Sequence, residues 1–393
     1  MTDPFEAFVR ASASSEVAGF FERAGPEPRA DHDAVWFDRA EDHLVVRSAG
    51  SLEEVGSMTR RLQGESGVVG YLGFDAVRLV EPALGPPPDS GPFPLGEFAR
   101  VRTLHRARVP APKRGAHLDV VSVPTPRSDS LPRSRFGRSV RRLTRAIRDG
   151  EAFQVVLAHR REFERPEDLL ARARRLRSSE RFAFFYYLRF GDREIVGAAP
   201  ESVVEVRGAN ATVNPIAGTL PRTSRAGRPP LHADPKELSE HRMLVDLARN
   251  DLGRVARAGS VCLDAQEVRE RYAAVDHLVS RVSATLRPGI APWDVLGATF
   301  PAGTVSGAPK IRAVELLRRE EGTWRGPYGG TVACVRPGAA EFALAIRSAF
   351  VDGRRLYTAA GAGVVHQSEP DREYDETIAK LAHVESTMVG ETA

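Results

Sequence analysis

The sequence of 393 residues is poor in cysteine and lysine, and it lacks any long uninterrupted apolar run. Because no stretch approaches the ~18 consecutive apolar residues of a membrane span, the sequence predicts no transmembrane helix. The N-terminal stretch carries early acids and no apolar core, so we do not expect a secretory signal. The two cysteines, Cys262 and Cys334, have neither metal-binding nor redox spacing. Their scarcity favours reduced thiols in the cytoplasm.

The charge balance argues against a protein that binds nucleic acids. Lysine and arginine together number 56, aspartate and glutamate number 52, and the net charge is therefore only +4. In the arginine-rich segment 136–150, apolar residues recur at helical spacing, which is typical of a helix with one solvated face. No nucleic-acid-binding motif accompanies it. The content of 42% hydrophobic and 27% charged residues is that of an ordinary globular protein.

Two acidic pairs share the spacing Glu-x-x-Glu, namely Glu237 with Glu240 and Glu373 with Glu376. In a helix, residues three apart lie on the same face. Four carboxylates brought together need a counter-charge, because two like charges ~4 Å apart repel by about 4 kcal/mol at an effective dielectric of ~20. Oxygen-only ligands favour Mg²⁺. The residues alone leave a second explanation open, in which the acids only cap or neutralise helix N-termini.

Further residues suited to an anionic ligand lie nearby in the sequence. Lys380, one of only four lysines, stands one helical turn after the second acidic pair. Lys310 ends the Gly/Ser/Thr-rich loop 300–310, which leads into a predicted helix and suits an anionic oxygen. This loop does not have the spacing of a P-loop. Arg347 and Tyr328 add a guanidinium and a phenol, both suited to a carboxylate.

The order of predicted elements indicates an α+β protein, because runs of antiparallel strands are mixed with helices. Hairpins are predicted where apolar runs flank turn residues, and helices where apolar residues recur at helical spacing. One hairpin is predicted at 33–48 and another around Asp352 and Gly353 within 341–365. The segment 67–82 is predicted to be a strand that enters a glycine-containing turn. The other predicted strands are 152–163, 182–190 and 202–208, and the predicted helices are 136–149, 235–249, 291–298 and 308–320.

Ten segments resemble, in matching order, those of the chorismate-utilising enzymes, and specifically the large synthase subunit (component I) of anthranilate synthase. The resemblance spans 137–389, and 67–81 resembles the N-terminal region of that family more loosely. The segments are GEAFQVVLAHR (150–160), GAAPESVV (197–204), NPIAGTLPR (214–222), DPKELSEHRMLVDLARNDLGRV (234–255), DHLVS (276–280), ATFPAGTVSGAPK (298–310), RGPYGG (325–330), AIRSAF (345–350), AGAGVV (360–365) and EYDETIAK (373–380).

This resemblance implies a fold, a domain division and a cofactor. The fold is α+β, with antiparallel sheets packed as a sandwich and helices outside. A chorismate-binding catalytic domain would occupy 137–389, and an N-terminal component I-like region at 1–130 would pack on it. The implied cofactor is Mg²⁺, with Glu240 and Glu376 as direct ligands and with Glu237 and Glu373 holding metal-bound waters.

The resemblance also implies roles for substrate-binding and catalytic residues. Lys380 would contact the ring carboxylate of chorismate, which the metal also binds. The other implied substrate-binding residues are Tyr328, Arg347 and the backbone amides of Gly361, Ala362 and Gly363 for the enolpyruvyl carboxylate, and Gly218 and Thr219 along the ring. The implied catalytic residues are Glu201 as the acid that protonates the departing C4 hydroxyl, His277 for pyruvate elimination, Thr304 as a pocket hydroxyl, and Gln154.

Two positions distinguish among members of the family by their nucleophile. Isochorismate and salicylate synthases carry lysine, a base that activates water, where Gln154 stands. An amide cannot take a proton from water, but it can hydrogen-bond ammonia. Aminodeoxychorismate synthases commonly carry a nucleophilic lysine where Ala217 stands. The resemblance therefore implies a lyase of tryptophan biosynthesis, which adds ammonia at C2, releases the C4 hydroxyl and eliminates pyruvate to give anthranilate.

Related reactions remain open beside this one. A 2-amino-2-deoxyisochorismate synthase of specialised metabolism would retain the enolpyruvyl group, and component I of an aminodeoxychorismate synthase is a further alternative. The Leu-Leu-Glu-Ser-like segment of tryptophan-inhibited members is missing, and the Asn-Pro-Ser-Pro-Tyr-Met-like stretch is replaced by SSERFAFFYY (178–187), so feedback by tryptophan is not expected. Because the sequence contains no glutaminase portion, a separate glutamine amidotransferase subunit or free ammonium would supply the nitrogen.

Overall fold

A computed structural model describes residues 3–24, 31–86, 91–109, 122–179, 182–221, 235–271 and 275–390. Within these ranges the chain forms twenty β-strands and ten α-helices. The strands are β1 (Val17–Arg23), β2 (His32–Phe37), β3 (Asp42–Val46), β4 (Gly67–Leu72), β5 (Gly96–Val101), β6 (His105–Val109), β7 (Ser128–Asp129), β8 (Gln154–Glu164), β9 (Phe184–Phe190), β10 (Arg193–Ala199), β11 (Ser202–Arg207), β12 (Asn210–Val213), β13 (Ile216–Pro221), β14 (Cys262–Arg271), β15 (Val275–Thr285), β16 (Gly307–Ala308), β17 (Thr331–Arg336), β18 (Ala339–Leu344), β19 (Ser348–Asp352) and β20 (Arg355–Val364).

The helices cover the outer faces of the strands. They are α1 (Pro4–Ala11), α2 (Ala49–Arg60), α3 (Val77–Val80), α4 (Arg133–Arg148), α5 (Leu169–Ser179), α6 (Pro235–Gly253), α7 (Pro292–Thr299), α8 (Gly303–Ser306), α9 (Lys310–Glu321) and α10 (Pro370–Met388). Within the described part of the chain, no helix is long and apolar enough to cross a membrane.

Helix α4 illustrates how the sequence pattern produces this arrangement. Its apolar residues Phe136, Val140, Leu143 and Ile147 recur every three or four positions and are all buried. This spacing gives a helix one continuous apolar stripe. The intervening arginines lie on the solvent side, as expected from the sequence. The arginine-rich segment is therefore an amphipathic helix of the core.

The strands form two antiparallel sheets, packed as a sandwich with helices outside, so the predicted α+β class is confirmed. The first sheet has the order β16-β8-β20-β19-β10-β9-β1-β2-β6, with β7 paired to β8. The second has the order β13-β15-β12-β11-β18-β17-β4-β5-β3, with β14 paired to β15. Strands that precede α4 thus extend both sheets.

A core of apolar residues lies between the sheets, and alternation along the strands assigns each residue to one face. In β9, Tyr186 and Leu188 point into this inter-sheet core, whereas Phe185 and Tyr187 pack under the outer helices. Such alternation follows from the two-residue period of a strand. Because both faces of the first sheet are covered, β9 is apolar almost throughout.

The predicted hairpin at 33–48 is wrong, although both of its strands exist. Strand β2 pairs with β1 and β6 in the first sheet, whereas β3 pairs with β5 in the second. The short link between them therefore crosses from one sheet to the other. Local alternation identifies a strand but not its partner, and here burial between the sheets determines the pairing.

Candidate active site

At two neighbouring points the chain crosses from one sheet to the other, and each of these crossings carries one of the predicted site residues. Glu201 lies where the chain passes from β10 to β11, and Arg347 lies where it passes from β18 to β19. Backbone hydrogen bonds join these crossings, because Leu344 N–H donates to Glu201 O at 3.0 Å and Ala198 N–H donates to Arg347 O at 3.2 Å. The corner between the sheets therefore brings the backbone segments of Glu201 and Arg347 close together.

Glu201 is a buried carboxyl group with one hydroxyl partner. It is 9% exposed, and the Thr304 hydroxyl donates to its Oε1 at 2.9 Å. Burial raises the pKa of Glu201 to about 8, although the hydrogen bond from Thr304 and the charge of Lys380 both act to lower it. A group with this pKa is largely protonated near neutral pH, so Glu201 has a proton to donate.

Lys380 connects α10 to the small-residue end of β20. Its Nζ donates to Gly361 O at 2.8 Å and to Glu376 Oε1 at 2.6 Å. An ammonium has three N–H donors, so these two bonds leave one for another acceptor. The Lys380 carbonyl accepts from Arg347 Nη1 at 3.2 Å. Lys380 therefore contacts Glu376 of the predicted metal ligands, the β20 backbone and the guanidinium of Arg347.

The glycines of β20 leave space that polar side chains occupy. A Cβ atom at Gly361 would lie 3.2 Å from the Tyr328 hydroxyl, and one at Gly363 would lie 2.6 Å from Gln154 Nε2. Burial raises the pKa of the Tyr328 phenol to about 12. Tyr328 is therefore neutral near pH 7. A side chain at Gly363 would displace the amide of Gln154.

Arg347 has an unusual backbone conformation. Its φ of 52° lies in the left-handed region that non-glycine residues rarely adopt. Such a conformation costs on the order of 1–3 kcal/mol and persists only where the surroundings impose it. Here it directs the guanidinium toward α10, where Arg347 contacts the Lys380 carbonyl. The position is typical of a functional residue.

Gln154 begins β8 and presents a buried acceptor. Its side chain is 6% exposed, and its Oε1 has no hydrogen-bond partner among the described residues. A buried acceptor left unsatisfied costs about 1–3 kcal/mol. The preceding residue, Phe153, is 71% exposed. Gln154 can therefore accept a hydrogen bond from a small N–H donor.

Backbone pairing brings two further predicted residues together. In the β13–β15 pair, Thr219 lies opposite His277, and the register shifts between Ala217 and Thr219, next to Gly218. Such a bulge re-aims the residues beside it. The side chains at these positions lie outside the described residues. The predicted roles of Gly218, Thr219 and His277 therefore stay predictions.

The predicted metal ligands lie on α6 and α10. Glu240 is on α6, Glu373 and Glu376 are on α10, and the side chain of Glu237 lies outside the described residues. Their donor atoms are all carboxylate oxygens, and this chemistry fits Mg²⁺. Among the described side chains, however, no three His, Cys, Asp or Glu residues are grouped closely enough to hold a metal ion. Glu376 instead pairs with Lys380.

The interpretation of Lys310 as a residue for an anionic ligand is not supported. Its Nζ is buried and donates to Asp251 Oδ2 at 2.9 Å and to Thr299 O at 3.0 Å. A buried ammonium requires such partners, because charges removed from water need pairing. Lys310 therefore joins α9 to α6 within the protein. Asp251 lies 59 residues away in the sequence, so no local pattern identifies it as the partner of Lys310.

Arg325 is a residue of this region to which the sequence motifs assign no role. It is the first residue of the RGPYGG segment, and its guanidinium donates to Val305 O, Val156 O and the Glu321 carboxylate. The sequence feature that could point to Arg325 is a single arginine at the start of a segment rich in glycine. Charged residues are rarely buried unless they are paired.

Comparison with known proteins gives consistent matches over nearly the whole chain. A family model described as chorismate binding enzyme matches residues 26–386. Anthranilate synthase component 1 of Pseudomonas putida is 36% identical over 80% of this chain and 73% of its own length. The protein of the same name from Saccharolobus solfataricus is 33% identical over 98% of this chain and 97% of its own length. The crystal structure of anthranilate synthase component I from Streptococcus pneumoniae matches with a TM-score of 0.79 and 29% identity, covering 92% of this chain and 93% of that one.

Proposed function

The chain belongs to the family of chorismate binding enzymes, and from this premise we propose that it is the synthase component of an anthranilate synthase. In the proposed reaction, ammonia adds at C2 of chorismate, both ring double bonds shift by one position and the C4–O bond breaks. Loss of the C2 proton and of the enolpyruvyl group as pyruvate then gives anthranilate. The observation that carries this choice is the buried amide oxygen of Gln154, which has no hydrogen-bond partner in the part of the chain that the structure describes.

Gln154 favours ammonia over water as the nucleophile. Its Oε1 can accept an N–H and so orient the nitrogen lone pair toward the ring. The amide has no basicity with which to deprotonate water. Gly363, packed against this side chain, leaves it room. Ammonia needs no deprotonation before attack, so an acceptor without basicity is sufficient.

Glu201 would supply the proton for the leaving group. Because burial raises its pKa to about 8, it carries a proton near neutral pH. Donation to the departing C4 oxygen releases water, and the proton lost from the added nitrogen restores the acid. Thr304 holds the carboxyl through the 2.9 Å hydrogen bond. The net change is ammonia gained and water lost.

The two carboxylates of chorismate would bind to two different sets of residues. We assign the enolpyruvyl carboxylate to Arg347, Tyr328 and the backbone amides near Gly361. Lys380 would hold the ring carboxylate through its remaining N–H donor. When bound by Glu237, Glu240, Glu373 and Glu376, Mg²⁺ would supply further positive charge for that carboxylate. Orientation by two fixed carboxylates places C2 and C4 against different residues.

The nitrogen source is a further part of the proposal. The relatives' name, component 1, suggests a second component. We propose that this partner is a glutamine amidotransferase subunit that supplies ammonia, and that free ammonium can replace it in the test tube.

Products identified by mass decide the reaction. We expect purified protein with chorismate, Mg²⁺ and ammonium at alkaline pH to yield anthranilate and pyruvate in equal amounts. A product that retains the enolpyruvyl group would instead indicate 2-amino-2-deoxyisochorismate synthase. Isochorismate or salicylate would contradict the interpretation of Gln154. Omitting ammonium is the matched control, and it should leave chorismate unconsumed.

Gln154→Leu should weaken the use of ammonia selectively. The change removes the acceptor with little change in size, and one lost hydrogen bond of this kind is worth about 1–3 kcal/mol. We therefore expect KM for ammonia to rise between about five- and 150-fold, with KM for chorismate within a few fold of wild type. Initial rates at varied ammonium and saturating chorismate test this. Equal changes in both KM values would mean that Gln154 only supports packing.

A further inference from the structure

One buried guanidinium joins two of the segments that carry the site. Arg325 is 6% exposed. Its Nη1 donates to Val305 O at 2.6 Å, and its Nη2 donates to Val156 O at 2.6 Å. Val305 follows Thr304 in α8, and Val156 lies two residues after Gln154 in β8. The same side chain thereby links the hydroxyl partner of the proposed acid to the amide that would orient ammonia.

One acid holds the guanidinium of Arg325, and a second acid holds its backbone. Glu321 accepts from its Nε at 2.9 Å and from its Nη2 at 2.5 Å, and Glu321 also accepts from Ala158 N–H at 2.9 Å. Asp75 accepts from the backbone N–H groups of Arg325 and Gly326 at 3.0 and 2.9 Å. These contacts fix both the charge and the direction of the side chain.

The planar guanidinium group of Arg325 is what allows it to make this set of contacts. Glu321 and two carbonyls of separate elements are reached in one plane, and the guanidinium carbon lies 4.3 Å from the centre of the Phe74 ring. The ammonium of lysine is a single point with a different geometry, so it cannot bridge the same acceptors. A lysine at Arg325 would keep the positive charge and lose the bridge.

We propose that Arg325 is a positioning residue, which holds Thr304 against Glu201 through Val305 and fixes both relative to Gln154 through Val156. The inference rests on the proposed function. Arg325 touches no substrate in this scheme, and its effect passes through the carbonyls that it binds. The proposed role of Arg325 therefore depends on the geometry of its side chain and not on its positive charge alone.

A measurement without turnover tests this role directly. In Arg325→Lys, Thr304 should move away from Glu201, and the pKa of Glu201 should rise, because that hydrogen bond stabilises the ionised carboxyl. Carbon-13 NMR titration of carboxyl-labelled glutamate reads this pKa, and the signal is assigned with Glu201→Gln. The matched control is Arg193→Lys, since Arg193 also binds a buried acid, Glu97, through two 2.8 Å hydrogen bonds. The control should leave the pKa of Glu201 unchanged.

A double-mutant comparison shows whether the effect passes through Thr304. Thr304→Val should raise the pKa of Glu201 as Arg325→Lys does, and the combined variant should show no further rise. Independent, additive rises would overturn the proposal, as would an unchanged pKa in Arg325→Lys. If Arg325→Lys does not fold, Glu321→Gln replaces it in the same comparison, because it loosens the guanidinium while the arginine remains.

Kinetics separate this inference from the proposed reaction. With ammonium as the nitrogen source, kcat of Arg325→Lys should fall between about ten- and a hundredfold, because small misplacements of reacting groups have effects of this size. KM for chorismate should stay within about twofold. If wild type makes no anthranilate, the proposed function fails, and the NMR titrations still decide the role of Arg325. If wild type is active and Arg325→Lys behaves like Arg193→Lys, the inference about Arg325 fails alone.

Discussion

Glu201→Gln is expected to lower kcat for chorismate by about 10²–10⁴-fold, the range typical of a lost general acid. Glutamine has nearly the same shape and can still accept from Thr304, so substrate binding should change little. The amide cannot donate a proton to the departing C4 hydroxyl. We therefore expect the loss in kcat while KM for chorismate stays within a few fold of wild type.

The pH dependence gives the same prediction a second readout. Glu201 acts in its protonated form, so the rate should be lost as pH rises through its pKa of about 8. Rates must be expressed per concentration of free ammonia, because ammonia itself increases with pH. Glu205→Gln is the matched control, since Glu205 lies on the adjacent strand β11 and pairs with Arg23. Wild-type rates in Glu201→Gln, with the alkaline decline intact, would exclude Glu201 as the acid.

Glu240→Gln should abolish Mg²⁺-dependent turnover, with a loss of at least about 10³-fold. The reason is that a divalent ion contributes several kcal/mol to charge stabilisation, and each 1.4 kcal/mol is a factor of ten. Calorimetric titration with Mg²⁺ should show weaker binding in this variant, which tests the metal site without turnover. Chelation of the wild-type protein with EDTA should give the same loss, reversed by added Mg²⁺.

The control for the metal site is Glu369→Gln. Glu369 stands at the start of α10 and pairs with Arg372 on the surface, so it is an acid on the same helix outside the proposed ligand set. It should bind Mg²⁺ and turn over as wild type does. Unchanged Mg²⁺ affinity in Glu240→Gln would remove that residue from the metal site.

The fold illustrates which features local sequence patterns determine. Where apolar spacing is regular, as in α4, α7 and α9, the sequence predicts the helix bounds to within a few residues. The hairpin at 33–48 was mispredicted because strand pairing depends on contacts distant in sequence. Alternation shows that a segment is a strand with a buried face, but both sheets here offer such a position. Tertiary packing therefore selects the partner.

The candidate site likewise contains residues that the sequence identifies and residues that it does not. Residues in ordered motifs, such as Glu201 and Thr304, could be named from the sequence, and the structure brings these two into contact. Residues defined by a distant partner could not, because the 2.9 Å contact between Lys310 and Asp251 joins segments 59 residues apart. Arg325 was missed for the same reason. Arg325 binds backbone carbonyl groups of other segments, and a pattern of side chains in the sequence does not show which carbonyls a residue will bind.

Both sheets combine strands from the N-terminal part of the chain with strands from its C-terminal part. This arrangement has a consequence for folding during synthesis on the ribosome. Strand β4 can pair with β5 soon after both emerge, but its other partner, β17, follows only roughly 260 residues later. At ~5–20 residues per second, this edge waits between about 13 and 50 s. An apolar strand edge exposed for that time is a site of aggregation. The yield of folded enzyme in a cell should therefore depend on protecting the nascent N-terminal half.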